Sequence, residues 1–160
     1  MPPFNLAQSN AGPFAEAADE LLVMGWRESV SLPEFGIDKM IAKLDSGAVL
    51  SSLHASRIER FRKKGETWIR FLTWSDVFGD QSSYRCEARW LADRTIRSSS
   101  GCVEQRPSIE TILYIGGFQW PIEVTLCDRS SLECKLLLGR SALAERCLID
   151  CSRQHLYSRP

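Results

Sequence analysis

"KLDSGAVLSSLHA", residues 43–55, sets a lone carboxylate, Asp45, between an apolar run and a Ser-Gly-Ala corner. The run is "MIAKL" (40–44), of the length and composition of a buried strand, and it delivers Asp45 at its end. Small serine-rich residues follow, then His54, one of 2 histidines in the chain. Asp-Ser-Gly alone is a common turn, because Asp and Ser side chains bond local backbone and Gly supplies positive φ. A turn and a catalytic aspartate both account for it, so the context must separate them. About ninety residues later, "LLLGRSAL" (136–143) again runs apolar residues into a glycine, Gly139, and a short helical pattern follows around Ser141–Cys147.

The flanking sequence is strand-like. "WRESVSL" (26–32) alternates with period two, and "PEFGI" (33–37) reads as a turn. "SSLHASRIERFRKKG" (51–65) and "TWIRFLTW" (67–74) read as two strands around a Lys-Lys-Gly turn. "DVFGDQSS" (76–83) reads as a polar loop and "YRCEARWLADRTIRSS" (84–99) as a mixed strand region. The clearest hairpin is "SIETILYIGGFQWPIEVTLCD" (108–128), where two alternating β-branched runs flank Gly116-Gly117, a pair suited to a tight primed turn. Residues 1–20 read as a loose tail with a short helix over 14–23, and "RQHLYSRP" (153–160) as a last strand or tail. Many short strands, Gly and Ser turns and one short helix predict an all-β, barrel-like domain.

At 160 residues the chain fits a single domain. Its 20 basic and 20 acidic residues cancel, which argues against a direct nucleic-acid or membrane-surface partner. No apolar run reaches membrane-spanning length, and the N-terminal stretch has no signal-peptide pattern, so a cytoplasmic location is the expectation. The 6 cysteines form no C-x-x-C pair and no zinc-finger spacing, and read mostly as buried small hydrophobes in a reducing compartment. The tryptophans read as core and sheet-face residues.

Strand–Asp-Ser-Gly-Ala, matched later by apolar residues, Gly and a short helix, resembles the signature of retropepsin-like aspartic peptidases. The resemblance implies a pepsin-type closed β-barrel with one short α-helix. It implies that Asp45 is the catalytic acid, that Ser46 locks the loop by hydrogen bonds, that Gly47 allows the tight turn, and that Leu137, Leu138 and Gly139 form a supporting strand. Five ordered stretches, "GWRESVSLPEFGI", "KLDSGAVLSSLHA", "RTIRSSSGCVEQRP", "WPIEVTLCDRS" and "LLLGRSAL", resemble one bacterial branch more closely. That branch is the retropepsin-like family known as ATP-dependent zinc proteases, or RimB-like, and associated with the ribosomal-protein glutamate ligase RimK. The resemblance covers about residues 25–152, with a tail on either side (1–24 and 153–160). One position departs from the family pattern: Cys102 stands where the "SSSG" segment is expected to continue with His.

Two carboxylates held close cannot both ionise, so one keeps a proton while the other activates water. Only one Asp-Ser-Gly has the right flanks, and Asp128 in "CDRSS" lacks the glycine. A dyad therefore needs Asp45 from two chains, which predicts a homodimer. A hydrolytic zinc site takes three ligands and an open position. The chain has no H-E-x-x-H, and His54, Cys102 and Asp45 are its candidate set, so no metal cofactor is expected and zinc is kept as an alternative. No P-loop motif accompanies the ATP label. Arg97, Arg106 and Arg140 lie in or beside the shared stretches, and guanidinium groups bind carboxylates bidentately. With His54 they are the expected substrate-contacting residues, which predicts an acidic peptide or glutamate-tailed protein as substrate. The expected function is an aspartic-type peptidase trimming glutamate-rich tails on a ribosomal protein. The alternatives are a non-catalytic module of the same fold that binds acidic peptides or a ligase, and a zinc-dependent hydrolase.

Overall fold

The computed structural model describes residues 21–77, 79–98 and 100–157, so the tail read over 1–20 and most of the helix read over 14–23 lie outside the described residues. In chain order the strands are β1 (Leu22–Gly25), β2 (Arg27–Leu32), β3 (Ile37–Leu44), β4 (Ser51–His54), β5 (Ser56–Lys63), β6 (Glu66–Val77), β7 (Asp80–Arg97), β8 (Val103–Ile115), β9 (Phe118–Cys127), β10 (Leu136–Leu138) and β11 (Cys147–Asp150). The one α-helix among the described residues, α1 (Arg140–Leu143), sits between β10 and β11, and a 3-10 turn covers Pro33–Phe35. Leu22 and Val23, read as the end of a helix, belong instead to β1.

The ladder runs β2-β3-β10-β4-β9-β8, and β8 also pairs with β2 through Ser31 and Tyr114, closing a six-strand barrel. Closure leaves these strands without free edges. Met40, Ala42 and Leu44 of β3 alternate inward, joining Leu32, Ile109 and Leu136 in the core. From β8 the sheet continues outward through β7 and β6 to the edge strand β5. β1 and β11 form a separate parallel ribbon, with Val23 opposite Leu148.

The Gly116-Gly117 hairpin forms as read: both glycines have positive φ (56° and 94°), as a primed two-residue turn requires. Gly116 is also approached by Tyr157, whose ring would stand 2.0 Å from a Cβ there. Three local readings are corrected. "DVFGDQSS" is not an extended loop, because β6 and β7 pair down to Val77 and Asp80. The helix ends at Leu143 rather than Cys147: Ala144 turns extended and Cys147 is drawn into β11 against Leu22. A four-residue helix has little local stability, so long-range pairing decides.

Residues 151–157 contain no strand, but they dock on the barrel. The buried carboxylate of Glu28 accepts from the backbone N–H of Gly25 (2.6 Å), Leu156 (3.0 Å) and Tyr157 (3.3 Å). His155 donates its backbone N–H to Arg27 O and is half-buried. No helix among the described residues is long and apolar enough to cross a membrane.

Candidate active site

β3 and β10 run parallel, with Leu44 beside Leu138, and β4 lies antiparallel on the other side of β10. Asp45 leaves the end of β3 and is still tied to β10, its N–H donating to Leu138 O at 2.9 Å. The chain then turns at once: Gly47 N–H donates to Asp45 Oδ1 at 2.8 Å and Ala48 N–H to Asp45 O at 3.4 Å. That Asx-type turn leaves Asp45 Oδ2 facing outward, 3.8 Å from Lys43 Nζ, with the side chain 27% exposed. The carboxylate is positioned by backbone and still open to a ligand.

α1 braces the loop from below. Arg140 and Ser141 donate backbone N–H groups to Ala48 O and Val49 O, each at 2.9 Å. Gly139 N–H donates to Ser51 Oγ at 3.1 Å. Gly139 is required by close approach, since a Cβ there would lie 2.6 Å from Leu50 O. Asp45 and Ser46 open onto a cavity of about 460 Å³, with Lys43 and Arg140 on its polar side and Leu143, Leu148 and Ile149 on its apolar side.

The expected site residues separate into groups. Asp45, Ser46, Gly47 and Arg140 are together, and Arg140 Nη1 donates to Ser46 O at 2.9 Å. The Ser46 hydroxyl has no hydrogen-bond partner among the described residues, so the lock comes from Ser51 and Arg140 rather than from Ser46. Leu137 and Leu138 form the supporting strand β10. Arg106, on β8, pairs with Glu104 and donates to Ser52 Oγ at 3.4 Å. Arg97 and Cys102 are exposed at the far end of the β7–β8 hairpin.

His54 is 1% exposed, so no peptide reaches it. Its Nδ1 accepts the Arg129 backbone N–H at 2.9 Å, which places the ring proton on Nε2, and its ring packs 3.8 Å from that of Trp74. Asp128 Oδ1 lies 3.6 Å from the same Nδ1 but meets no proton there. Burial holds the imidazole pKa below its usual 6.5, and Asp128 only partly opposes this.

These residues do not fit a zinc centre. Among the described residues no three His, Cys, Asp or Glu groups converge. The His54 lone pair is spent on Arg129, and Cys102 lies in the exposed hairpin. All six cysteines are free thiols, and burial pushes Cys86 up to about 12 and Cys147 to about 11. Thiols so raised are poor nucleophiles.

Sequence reading missed Ser51 and Lys43, which brace and flank Asp45. Both lie inside the quoted stretch, but a serine facing Gly139 becomes visible only once β10 is placed beside β4.

Over residues 23–160 the chain matches the family described as RimB-like, "Retropepsin-like aspartic endopeptidase RimB". Among curated proteins, the probable alpha-L-glutamate ligase of Shewanella halifaxensis is 35% identical over 133 residues, which are 83% of this chain and 29% of that protein. The protein of the same name from Desulfotalea psychrophila is 38% identical over 128 residues, 80% of this chain and 28% of that protein. The chain thus spans under a third of the length of these relatives. A crystal structure of a Legionella pneumophila protein of unknown function superposes with a TM-score of 0.70 at 26% identity, over 85% of this chain and 98% of that one.

Proposed function

The chain belongs to the RimB-like family of retropepsin-like proteins, and on that premise we propose that it is an aspartic-type peptidase that cleaves glutamate-rich peptides as a homodimer. The carrying observation is the Asp45 carboxylate, fixed by the Gly47 N–H and open to a 460 Å³ cavity. The cavity has cations, Lys43 and Arg140, beside that carboxylate, and they suit an acidic substrate. The names of the curated relatives add support. A protein called an alpha-L-glutamate ligase that carries a segment like this chain joins glutamate chemistry to a peptidase fold.

One Asp45 per chain calls for a second copy. Val23 and Leu148, opposite one another on the β1–β11 ribbon, are 48% and 55% exposed, and Leu148 also lines the Asp45 cavity. An apolar ribbon beside the site suits a two-fold contact. In the dimer one Asp45 carboxylate is ionised and its mate protonated. The ionised group takes a proton from water as the water oxygen bonds to the scissile carbonyl carbon. The protonated group gives its proton to the carbonyl oxygen. Collapse of the resulting diol breaks the C–N bond as the amine nitrogen takes a proton from one carboxyl group and a diol hydroxyl returns its proton to the other, which restores the dyad to its starting state.

Incubation with an oligoglutamate peptide, read by mass spectrometry, tests this reading. Wild-type protein should release shorter peptides and Asp45→Asn none, with the variant folded. Full hydrolysis by Asp45→Asn would overturn it.

A further inference from the structure

β5 and β6 pair Ser56 with Leu72 and Glu59 with Arg70, so Arg57 and Ile58 together stand opposite Phe71. This is a bulge, and Arg57 occupies it at φ 51°. Such a bulge places its first residue in the left-handed region, where glycine fits without cost and a long side chain does not. An arginine kept in a glycine's conformation marks a position held for its side chain. The bulge also turns that side chain toward a hollow of about 240 Å³ lined by Arg57, Glu59, Arg70, Phe71, Leu72 and Arg85.

Charge in the hollow is unbalanced. Arg70 is committed to Glu87, at 2.9 and 2.8 Å, and lies 3.9 Å from Glu59. Among the described residues, neither Arg57 nor Arg85 has an ion-pair or hydrogen-bond partner, and both are exposed. Leu72 lies between them across the sheet, pairing with Ser56 on one side and Arg85 on the other. Two free guanidinium forks over an apolar floor, with a third fixed by its own carboxylate, suit planar anions separated by a short aliphatic stem.

We propose that this hollow, which shares no lining residue with the Asp45 cavity, is a second anion-binding site that takes the side-chain carboxylates of an acidic peptide segment. The choice of a peptide rests on the peptidase reading above, whereas the surplus of positive charge does not. A phosphodiester backbone is disfavoured, because Glu59, Glu66 and Glu87 interrupt the positive charge along β5, β6 and β7 and leave no continuous basic track.

The test uses Asp45→Asn protein, which holds peptide without cleaving it, and fluorescence anisotropy of a labelled hexaglutamate peptide. Arg57→Gly and Arg85→Gln should each weaken binding about tenfold, and Arg85→Lys less, since it keeps the charge and loses the fork. Binding should weaken with added salt. Arg57→Gly removes the backbone penalty, so its melting temperature should not fall, which separates lost binding from lost folding. Parent-like affinity in both variants, or no binding by the parent, would overturn the site. Equally strong, arginine-dependent binding of an RNA oligomer of the same charge would overturn the peptide as its occupant. If wild-type protein leaves the peptide intact while binding still depends on these arginines, the peptidase reading fails and the anion site stands. Hydrolysis with arginine-independent binding would do the opposite, overturning the anion site and sparing the peptidase reading.

Discussion

Gly139→Ala perturbs the Asp45 loop without touching Asp45. A Cβ at this position would stand 2.6 Å from Leu50 O, 2.7 Å from Leu50 C and 3.0 Å from Val49 O, all of them backbone atoms that no rotamer change can move aside. Carbon contacts are comfortable from about 3.5 Å, so the Val49–Leu50 segment or the end of β10 must retreat by roughly 0.8 Å. That segment is tied to α1 by the hydrogen bonds from Arg140 and Ser141 to Ala48 O and Val49 O. Weakening both costs about 1 kcal/mol each, and overpacking adds about 1–3 kcal/mol. A total of about 3–5 kcal/mol should lower the urea midpoint by about 1.5–2.5 M at a slope of about 2 kcal/mol per M. Asp45 is bonded to Leu138, the residue before Gly139, so the carboxylate shifts too. Turnover of an acidic peptide should fall by about tenfold or more even where the variant is fully folded, because sub-ångström misplacement of a reacting group is costly. An unchanged urea midpoint together with unchanged turnover would refute the reasoning that this glycine holds the loop.

The buried His54 should make stability depend on pH. Its folded pKa lies below 6.5, so below that pH the unfolded chain binds the extra proton, and stability falls as pH drops from about 6.5 toward the lowered value, by up to about 1.4 kcal/mol per unit. Urea unfolding at pH 7.5 and 5.5 checks this, and His54→Asn should flatten the difference; an equal slope in the variant would contradict it. Glu28→Gln should cost about 1–3 kcal/mol by replacing charge-assisted acceptors with a neutral amide, and hydrogen exchange at the Leu156 and Tyr157 amides should quicken, whereas unchanged exchange would remove Glu28 as the anchor. Dialysis against a strong chelator should leave peptide hydrolysis intact, and activity lost and then restored by zinc would contradict this.

Local sequence carried what local physics controls. Gly116-Gly117 between alternating runs dictates a primed hairpin, and an apolar run ending in Asp-Ser-Gly dictates a strand meeting an Asx turn. Readings failed where distant segments decide. Cys147 leaves its helical pattern because β1 offers a partner strand, and "DVFGDQSS" is mostly strand because β6 and β7 stay in register to its centre. The docking of residues 153–157 depends on one buried carboxylate, Glu28, which looks like any polar position of an alternating strand until its partners are placed. In the candidate site, the turn at Asp45 and Gly47 and the strand running into Gly139 were legible through the resemblance that their motifs carry. His54 was not, because its sequence neighbours say nothing of Arg129 and Trp74, which enclose it.

Mixing wild-type and Asp45→Asn chains under conditions of free subunit exchange tests most directly whether two chains share one active site. If each site needs both carboxylates, equal amounts leave about a quarter of the dimers fully wild-type, and hydrolysis of oligoglutamate per total dimer should settle at about a quarter of the wild-type value. Activity falling only to one half, in proportion to the wild-type chains present, would mean that each chain works alone and would contradict the shared dyad.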